Sequence, residues 1–348
     1  MKAVRQASMP SAPTHAPSQG LTAEQLRLVT SAARLYHTHN ERQADIADKL
    51  GISQAGVSRL LRQAEELGIV RTVVIAPEGL HLELEEGLVD AFGLDQAFVV
   101  DAGDDGDIPH ILGAAAARFL WQDLTGGAIG VTSWSVTLRE MARLVEPNRN
   151  SGTTHVVEML GDLGSPMLQH EAALATLQFA KTLNAEAVFL RTPGVVTSPA
   201  LRNAVLADAH IERAYALFDH LDVAFIGLGP ADFHGPLEEG DHFFSAEQLA
   251  RVREAGAVGQ LHQRFIDAKG QPVATPLDQL VVGISLDQLR KAGRRIVVAG
   301  GSSKHAVLEA ALKGNWIDCL VTDVASANHL MAAASSRPSA PSGDKPGT

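Results

Sequence analysis

From about residue 95 onward, apolar positions fall into short β-branched runs separated by longer Ala- and Leu-rich amphipathic stretches. This alternation predicts strands and helices in turn. The runs are 97–101 (AFVVD), 127–131 (GAIGV), 155–160 (HVVEML), 186–190 (EAVFL), 222–227 (DVAFIG), 295–299 (RIVVA) and 317–321 (IDCLV). Helical periodicity fills 108–124, 135–146, 168–183, 200–219 and 303–314. The strands are apolar on both sides rather than alternating, as they must be when helices cover both faces of a parallel sheet. The expected fold class is α/β: a large wound parallel-sheet domain over 79–334, preceded by a small helical domain over 21–78.

The helical domain has its own pattern. A helix over 22–37 opens on Thr22 with Gln25 three positions later, a capping-box spacing, and its predicted buried stripe is Leu28, Ala32 and Leu35. A second helix buries Ala44, Ile46, Ala47 and Leu50; Gly51 turns the chain, Ile52 plugs the gap, and Ser53 caps a third. That third helix buries Val57, Leu60, Leu61, Ala64 and Leu67. Two short helices joined by a Gly turn, the second one capped, are the pattern of a helix-turn-helix. Ser53, Gln54, Ala55, Ser58, Arg59 and Arg62 then occupy the tip and outer face of the third helix, while Glu65 and Glu66 come later. Small, amide and guanidinium side chains at a helix tip suit base edges and phosphates in a major groove. The plainer alternative is a helical hairpin with a solvated face. Residues 69–76 would follow as a strand or wing, with Arg71 near a phosphate.

Charge sharpens this division. The 348 residues carry a formal net charge of −11, which taken alone argues against a polyanionic partner. Residues 1–75, however, hold nine Lys/Arg against six Asp/Glu, so the acidity resides wholly in 76–348. Segments 1–20 and 335–348 are rich in Pro, Ser and Ala without periodicity and read as disordered tails. No stretch reaches the ~18 apolar residues of a membrane span, and the first twenty residues lack the apolar core of a signal peptide. The single cysteine, Cys319, excludes an internal disulfide and reads as a buried thiol. The expectation is a protein of the reducing cytoplasm.

Four predicted strands run into Gly- or Ser/Thr-rich turns: 130–138 (GVTSWSVTL), 159–166 (MLGDLGSP), 225–233 (FIGLGPADF) and 298–307 (VAGGSSKHAV). In a wound sheet these turns share the carboxyl edge, where helix N-termini favour an anion. No Walker pattern, no G-x-G-x-x-G and no G-x-S-x-G nucleophile elbow occurs, so neither a nucleotide cofactor nor acyl-transfer chemistry is indicated. His37, His39 and His305 lack metal-ligand spacing, and the 104–107 cluster DDGD reads as a solvated turn. No cofactor or metal is expected.

With both halves in view, QADIADKLGISQAGVSRLLRQAEELGIV resembles the N-terminal domain of SorC-type sugar-responsive transcriptional regulators, also grouped with the DeoR regulators. The remainder resembles their effector domain over most of 80–333, notably in LRTPGVVTSPALRNAVLAD, DVAFIGLGP, GAVGQLHQRFIDAKGQPV and GISLDQLRKAGRRIVVAGGSSKHAVLEAALKGNWIDCLVTDVASANHLM. The resemblance implies a fold related to ribose-phosphate isomerase and glucosamine-phosphate deaminase, used for sensing a sugar or sugar-phosphate, in a dimer or tetramer that binds operator DNA. It also implies effector contacts from Thr132, Ser133, Trp134, Ser135 and Thr137 in the first strand-end loop, and from Lys304 in the Gly-Gly-x-x-Lys element. Where the family often has Gly-Trp-Gly, this chain has Ser133-Trp134-Ser135. Gln260 replaces the usual acidic residue, and Arg191 stands where a small residue is usual and adds a possible anion contact. The competing expectation is a sugar-phosphate isomerase or deaminase with a helical association domain, for which Asp162, Asp232 or Asp323 would supply the carboxylate.

Overall fold

The computed structural model describes residues 21–70, 79–103, 107–121, 124–231 and 243–335. Arg71, most of the DDGD cluster, Asp232, and all of the two tails except Ser335 lie outside the described residues. The chain forms two compact units, Met1–Ile75 and Ala76–Thr348.

Among its described residues the first unit holds three helices, α1 (Ala23–His37), α2 (Gln43–Leu50) and α3 (Gln54–Glu66). Thr22 and Gln25 make the reciprocal capping box. Gly51, at φ 65°, ends α2 in the left-handed region, and Ser53 caps α3 by accepting the Gly56 N–H at 3.1 Å. Val57, Leu61 and Ala64 of α3 bury against α1 and α2, with Ile46 and Ala47 from α2. Three expectations need correction. The α1 stripe is Val29, Ala32 and Ala33, with Leu28 and Leu35 only half-buried; Ala44 is exposed; and Leu50, Leu60 and Leu67 are half-buried at the margin of the core. Val29 and Ala33 pack with Ala64 of α3, so the small residues take the contact line and Leu28 and Leu35 lie at its margin.

In the second unit, α4 (Leu82–Phe92) leads into β1 (Gln96–Val100). Then follow α5 (Ile108–Phe119), β2 (Ala128–Val131), α6 (Val136–Leu144), β3 (His155–Glu158), α7 (Pro166–Leu183) and β4 (Glu186–Val188). The chain continues through α8 (Pro199–Leu206), α9 (Ala209–Phe218), β5 (Val223–Ile226), β6 (Leu228–Pro230), α10 (Ala246–Glu254), β7 (Ala257–Leu261) and β8 (Arg264–Asp267). It closes with α11 (Leu286–Lys291), β9 (Arg294–Val298), α12 (His305–Lys313), β10 (Cys319–Asp323) and α13 (Val324–Ser335).

Seven strands form one sheet in the order β1-β10-β9-β5-β2-β3-β4, every pair parallel. Successive residues feed opposite faces. Ile129, Val131, Phe225, Ile296, Val298, Cys319 and Val321 pack under α5, α6 and α7. Ala128, Ala224, Ile226, Val297 and Leu320 pack with α4, α9, α11, α12 and α13. The switch point lies at β2, beside the central strand β5. The chain first runs outward through β3 and β4, then returns to β5 on the other side of β2 and proceeds to β9 and β10. Ligand crevices form at such a reversal.

A second sheet of three antiparallel strands, β6-β7-β8, packs with α10 around Phe244, Leu249, Val252 and Phe265. The sequence pattern did not separate it from the α/β repeat. The expected helix 200–219 is two helices, because Asp208 accepts the His210 N–H and starts α9 afresh.

Candidate functional site

The carboxyl edge around the switch point encloses a cavity of about 340 Å³. Its walls come from the turns after four parallel strands and from the β7–β8 hairpin.

After β2, Thr132 closes the strand end. Its hydroxyl donates to the Phe225 carbonyl at 2.9 Å and accepts the Gly227 N–H at 2.9 Å, tying the β2 and β5 turns together. Trp134 donates its indole N–H to the Gly161 carbonyl at 3.0 Å, fixing the ring against the β3 turn. Ser135 caps α6 by accepting the Leu138 N–H. Thr132, Trp134, Ser135 and Thr137 all line the cavity; Ser133 is buried and is not among the lining residues.

After β9, Gly300 to Lys304 cross the cavity wall and enter α12. Gly301 sits at φ 87°, a conformation few other residues adopt, and its N–H is held by the Asp323 carboxylate at 2.8 Å. Lys304 is largely buried, donates from Nζ to the Leu228 carbonyl, and has its ammonium pushed down to about 8 by that burial. Arg139 also lines the cavity, donating to the Trp134 carbonyl and facing Glu171 at 3.8 Å. The N-terminal residues of α5 and α6, together with the turn entering α12, line the same space. Among the described lining residues there are two cations, Arg139 and Lys304, and no Asp or Glu. Such a wall attracts an anion and lacks a carboxylate base.

Three polar residues of the hairpin complete the site. Gln260 lines the cavity and accepts the Gln263 N–H at 2.7 Å; His262 and Gln263 form the hairpin tip and also line it. Sequence reasoning found the Gly227–Gly229 turn, within 225–233, but missed His262, Gln263 and Arg139. The hairpin has no Asn-Gly signal to announce it.

Arg191 departs from expectation. It is not among the cavity-lining residues; it pairs with Asp162 at 3.1 Å and lines a different cleft with Thr192, Asp208 and Arg213. Pairing with a neighbouring carboxylate holds the guanidinium there. Neither described carboxylate nominated for chemistry lines the cavity: Asp162 faces Arg191, and Asp323 is bound to Gly301 and Ser326. Burial works to raise the Asp323 pKa, but the hydrogen bonds from Ser326 and Gly301 outweigh it and hold the carboxyl below its ordinary range. On the other unit, Ser53, Gln54, Ala55, Ser58, Arg59 and Arg62 are all exposed at and beyond the start of α3. No group of three His, Cys, Asp or Glu suited to a metal, and no helix long and apolar enough to span a membrane, occurs among the described residues.

Residues 78–332 match the Sugar-bind family of sugar-binding domains. A deoxyribonucleoside regulator of Bacillus subtilis is 30% identical over 310 residues, covering 88% of this chain and 98% of the relative. A sorbitol operon regulator of Klebsiella pneumoniae is 29% identical over 320 residues, again covering 88% and 98%. The crystal structure of the full-length regulator SorC from Klebsiella pneumoniae superposes with a TM-score of 0.67 at 28% identity, covering 89% of this chain and all of that one.

Proposed function

The chain belongs to the SorC/DeoR family of sugar-binding transcriptional regulators, and from that premise we propose that its effector is a phosphorylated sugar or polyol bound at the carboxyl edge of the large sheet. It is a DNA-binding transcriptional regulator of carbohydrate or polyol use rather than an enzyme. The observation that carries the phosphate is the cavity wall itself: Arg139, Lys304 and the starts of several helices, with no carboxylate among its described residues.

The division of labour is a DNA-binding domain over 21–78 and an effector-binding, oligomerising domain over 79–334. In the first, α3 enters the major groove; Gln54, Ser58, Arg59 and Arg62 meet bases and phosphates, and Ala55 leaves room for the groove floor. In the second, Thr132, Trp134, Ser135, Thr137, Gln260 and Lys304 contact the effector, with Ser133 supporting the loop. The protein works as a homo-oligomer in the cytoplasm, where its operator is. Met167, Leu174 and Leu177 stand exposed on α7 and supply an apolar surface of the kind a second copy covers. Effector binding favours one arrangement of the oligomer, and with it one spacing of the paired recognition helices.

The test is fluorescence anisotropy on DNA upstream of the controlled genes, with and without sugar monophosphates. Specific binding that a sugar monophosphate strengthens or weakens is the expected result. Folded protein that binds no DNA specifically at low to moderate salt would sink the reading.

A further inference from the structure

The β7–β8 hairpin turns through His262 and Gln263 alone, since Leu261 pairs with Arg264. Both turn residues have positive φ, 51° and 62°. A two-residue turn of this kind is usually made by Asn-Gly, because side chains with a Cβ are strained there. Strain of this kind, held in place by the surrounding fold, is characteristic of ligand sites. Here the strained pair is also almost wholly buried, His262 at 2% and Gln263 at 5% exposure, and both line the cavity.

Hydrogen bonding fixes the polarity of His262. The Thr132 hydroxyl has one proton, given to the Phe225 carbonyl, and its oxygen already accepts the Gly227 N–H. The contact of 2.6 Å between Thr132 Oγ1 and His262 Nε2 is therefore a donation from Nε2–H. Burial, with a smaller contribution from the neighbouring Arg264 charge, lowers the imidazole pKa to about 3, so the ring is neutral. Nδ1 then presents a lone pair. Neither His262 Nδ1 nor Gln263 Oε1 has a hydrogen-bond partner among the described residues, and a buried polar atom left so is costly.

Building on the phosphate-sugar reading above, we propose that the His262–Gln263 turn is a hydroxyl-reading subsite, in which a small shift of the turn brings His262 Nδ1 and Gln263 Oε1, both closed to solvent in this structure, to accept hydrogen bonds from hydroxyl groups of the effector. The cavity thus carries two chemistries. Arg139 and Lys304 take an anion, which a lone pair repels, and the hairpin tip takes neutral donors. A polyhydroxylated monophosphate satisfies both. A deoxy or O-alkylated analogue at the matching carbon leaves the acceptors unpaired and binds more weakly, the asymmetry by which a hydrogen-bonding site rejects a substrate lacking its hydroxyl.

The experiment is titration calorimetry of the full chain with inorganic phosphate and with pentose and hexose monophosphates, each beside its deoxy counterpart. The comparison is among wild type, His262→Leu, His262→Asn and Gln263→Met. Asn tolerates positive φ and places an amide oxygen close to the Nδ1 position. The expected result is a sugar monophosphate that binds wild type more tightly than inorganic phosphate. That advantage falls about tenfold in His262→Leu and in Gln263→Met and survives in His262→Asn. Gln263→Met keeps the test open if His262→Leu does not fold. Sugar-phosphate affinity unchanged in the folded apolar variants overturns the subsite alone. Failure of wild type to bind any sugar monophosphate overturns the subsite together with the reading beneath it.

Discussion

Gly300 and Asp323 are in contact so close that a Cβ on Gly300 would stand 2.1 Å from the carboxylate Oδ2. The carboxylate needs that proximity, because it also holds the next residue's N–H and the Ser326 hydroxyl. The β9 turn is thus pinned from β10, and its free side faces the cavity. Gly300→Ala should destabilise the effector unit by about 1–3 kcal/mol through overpacking and weaken phosphate binding with it. Thermal unfolding and phosphate titration of this variant measure the two effects together; loss of neither would show that the turn yields.

Lys304 supplies a pH dependence with a definite sign. Its depressed ammonium loses its proton as pH passes about 8, whereas a phosphate monoester stays dianionic there. Effector affinity should therefore fall from about pH 7 to about pH 9, with proton uptake on binding near pH 8, seen as buffer-dependent heats in calorimetry. Lys304→Met should bind about tenfold or more weakly at neutral pH and lose the slope. A profile that stays steep in Lys304→Met would assign the titration to another group.

Glu158 predicts a stability slope away from the cavity. Burial pushes its carboxyl up to about 7, against the hydrogen bonds from Leu190 N–H and the Thr176 hydroxyl. A folded pKa above the ordinary 4.5 means that its stabilisation is complete below that value and lost as pH rises through about 7. Unfolding midpoints of wild type should decline over this window, and Glu158→Gln should flatten the decline. Parallel curves for the two proteins would refute the assignment.

Operator binding should weaken in Arg59→Ala and Arg62→Ala, with a salt slope reduced by about one for each phosphate contact removed. Ser53→Ala, which removes the cap of α3 without removing a charge, should cost about 1 kcal/mol of helix stability, read by thermal unfolding. Unchanged operator affinity in both arginine variants would refute α3 as the recognition helix.

Leu174→Glu and Leu177→Glu test the α7 surface. Each places a charge on an exposed apolar face and should lower the solution mass by sedimentation while leaving effector binding intact. A mass unaltered in both would put the interface elsewhere.

What could be read from the sequence followed the physics of burial. All seven strands of the large sheet were visible, because strands covered on both faces carry continuous apolar runs such as 128–131 and 319–321. The turns carrying Thr132, Trp134, Ser135 and Lys304 were visible for a related reason, since small and hydroxyl residues directly after such runs mark strand ends. The three-stranded sheet was not. Its strands are three to five residues long, include Gly229 and Gly259, and meet at a turn whose residues carry no turn signature. His262 was therefore one of fourteen scattered histidines until the fold brought its ring to Thr132, 130 positions away in the chain. Arg191 was obscure in the opposite sense: its charge was legible, but its partner Asp162 depended on the pairing of the β3 and β4 turns.

The buried position of Cys319 in β10, between β1 and β9, has a practical consequence. Burial pushes its thiol up to about 11, so a thiol reagent at neutral pH meets almost no thiolate. Being the sole cysteine of the chain, it is a built-in clock for opening of the sheet: its rate of alkylation reports how often strands at the heart of this unit separate. A bound effector slows that clock in proportion to its occupancy, with no label or cofactor added.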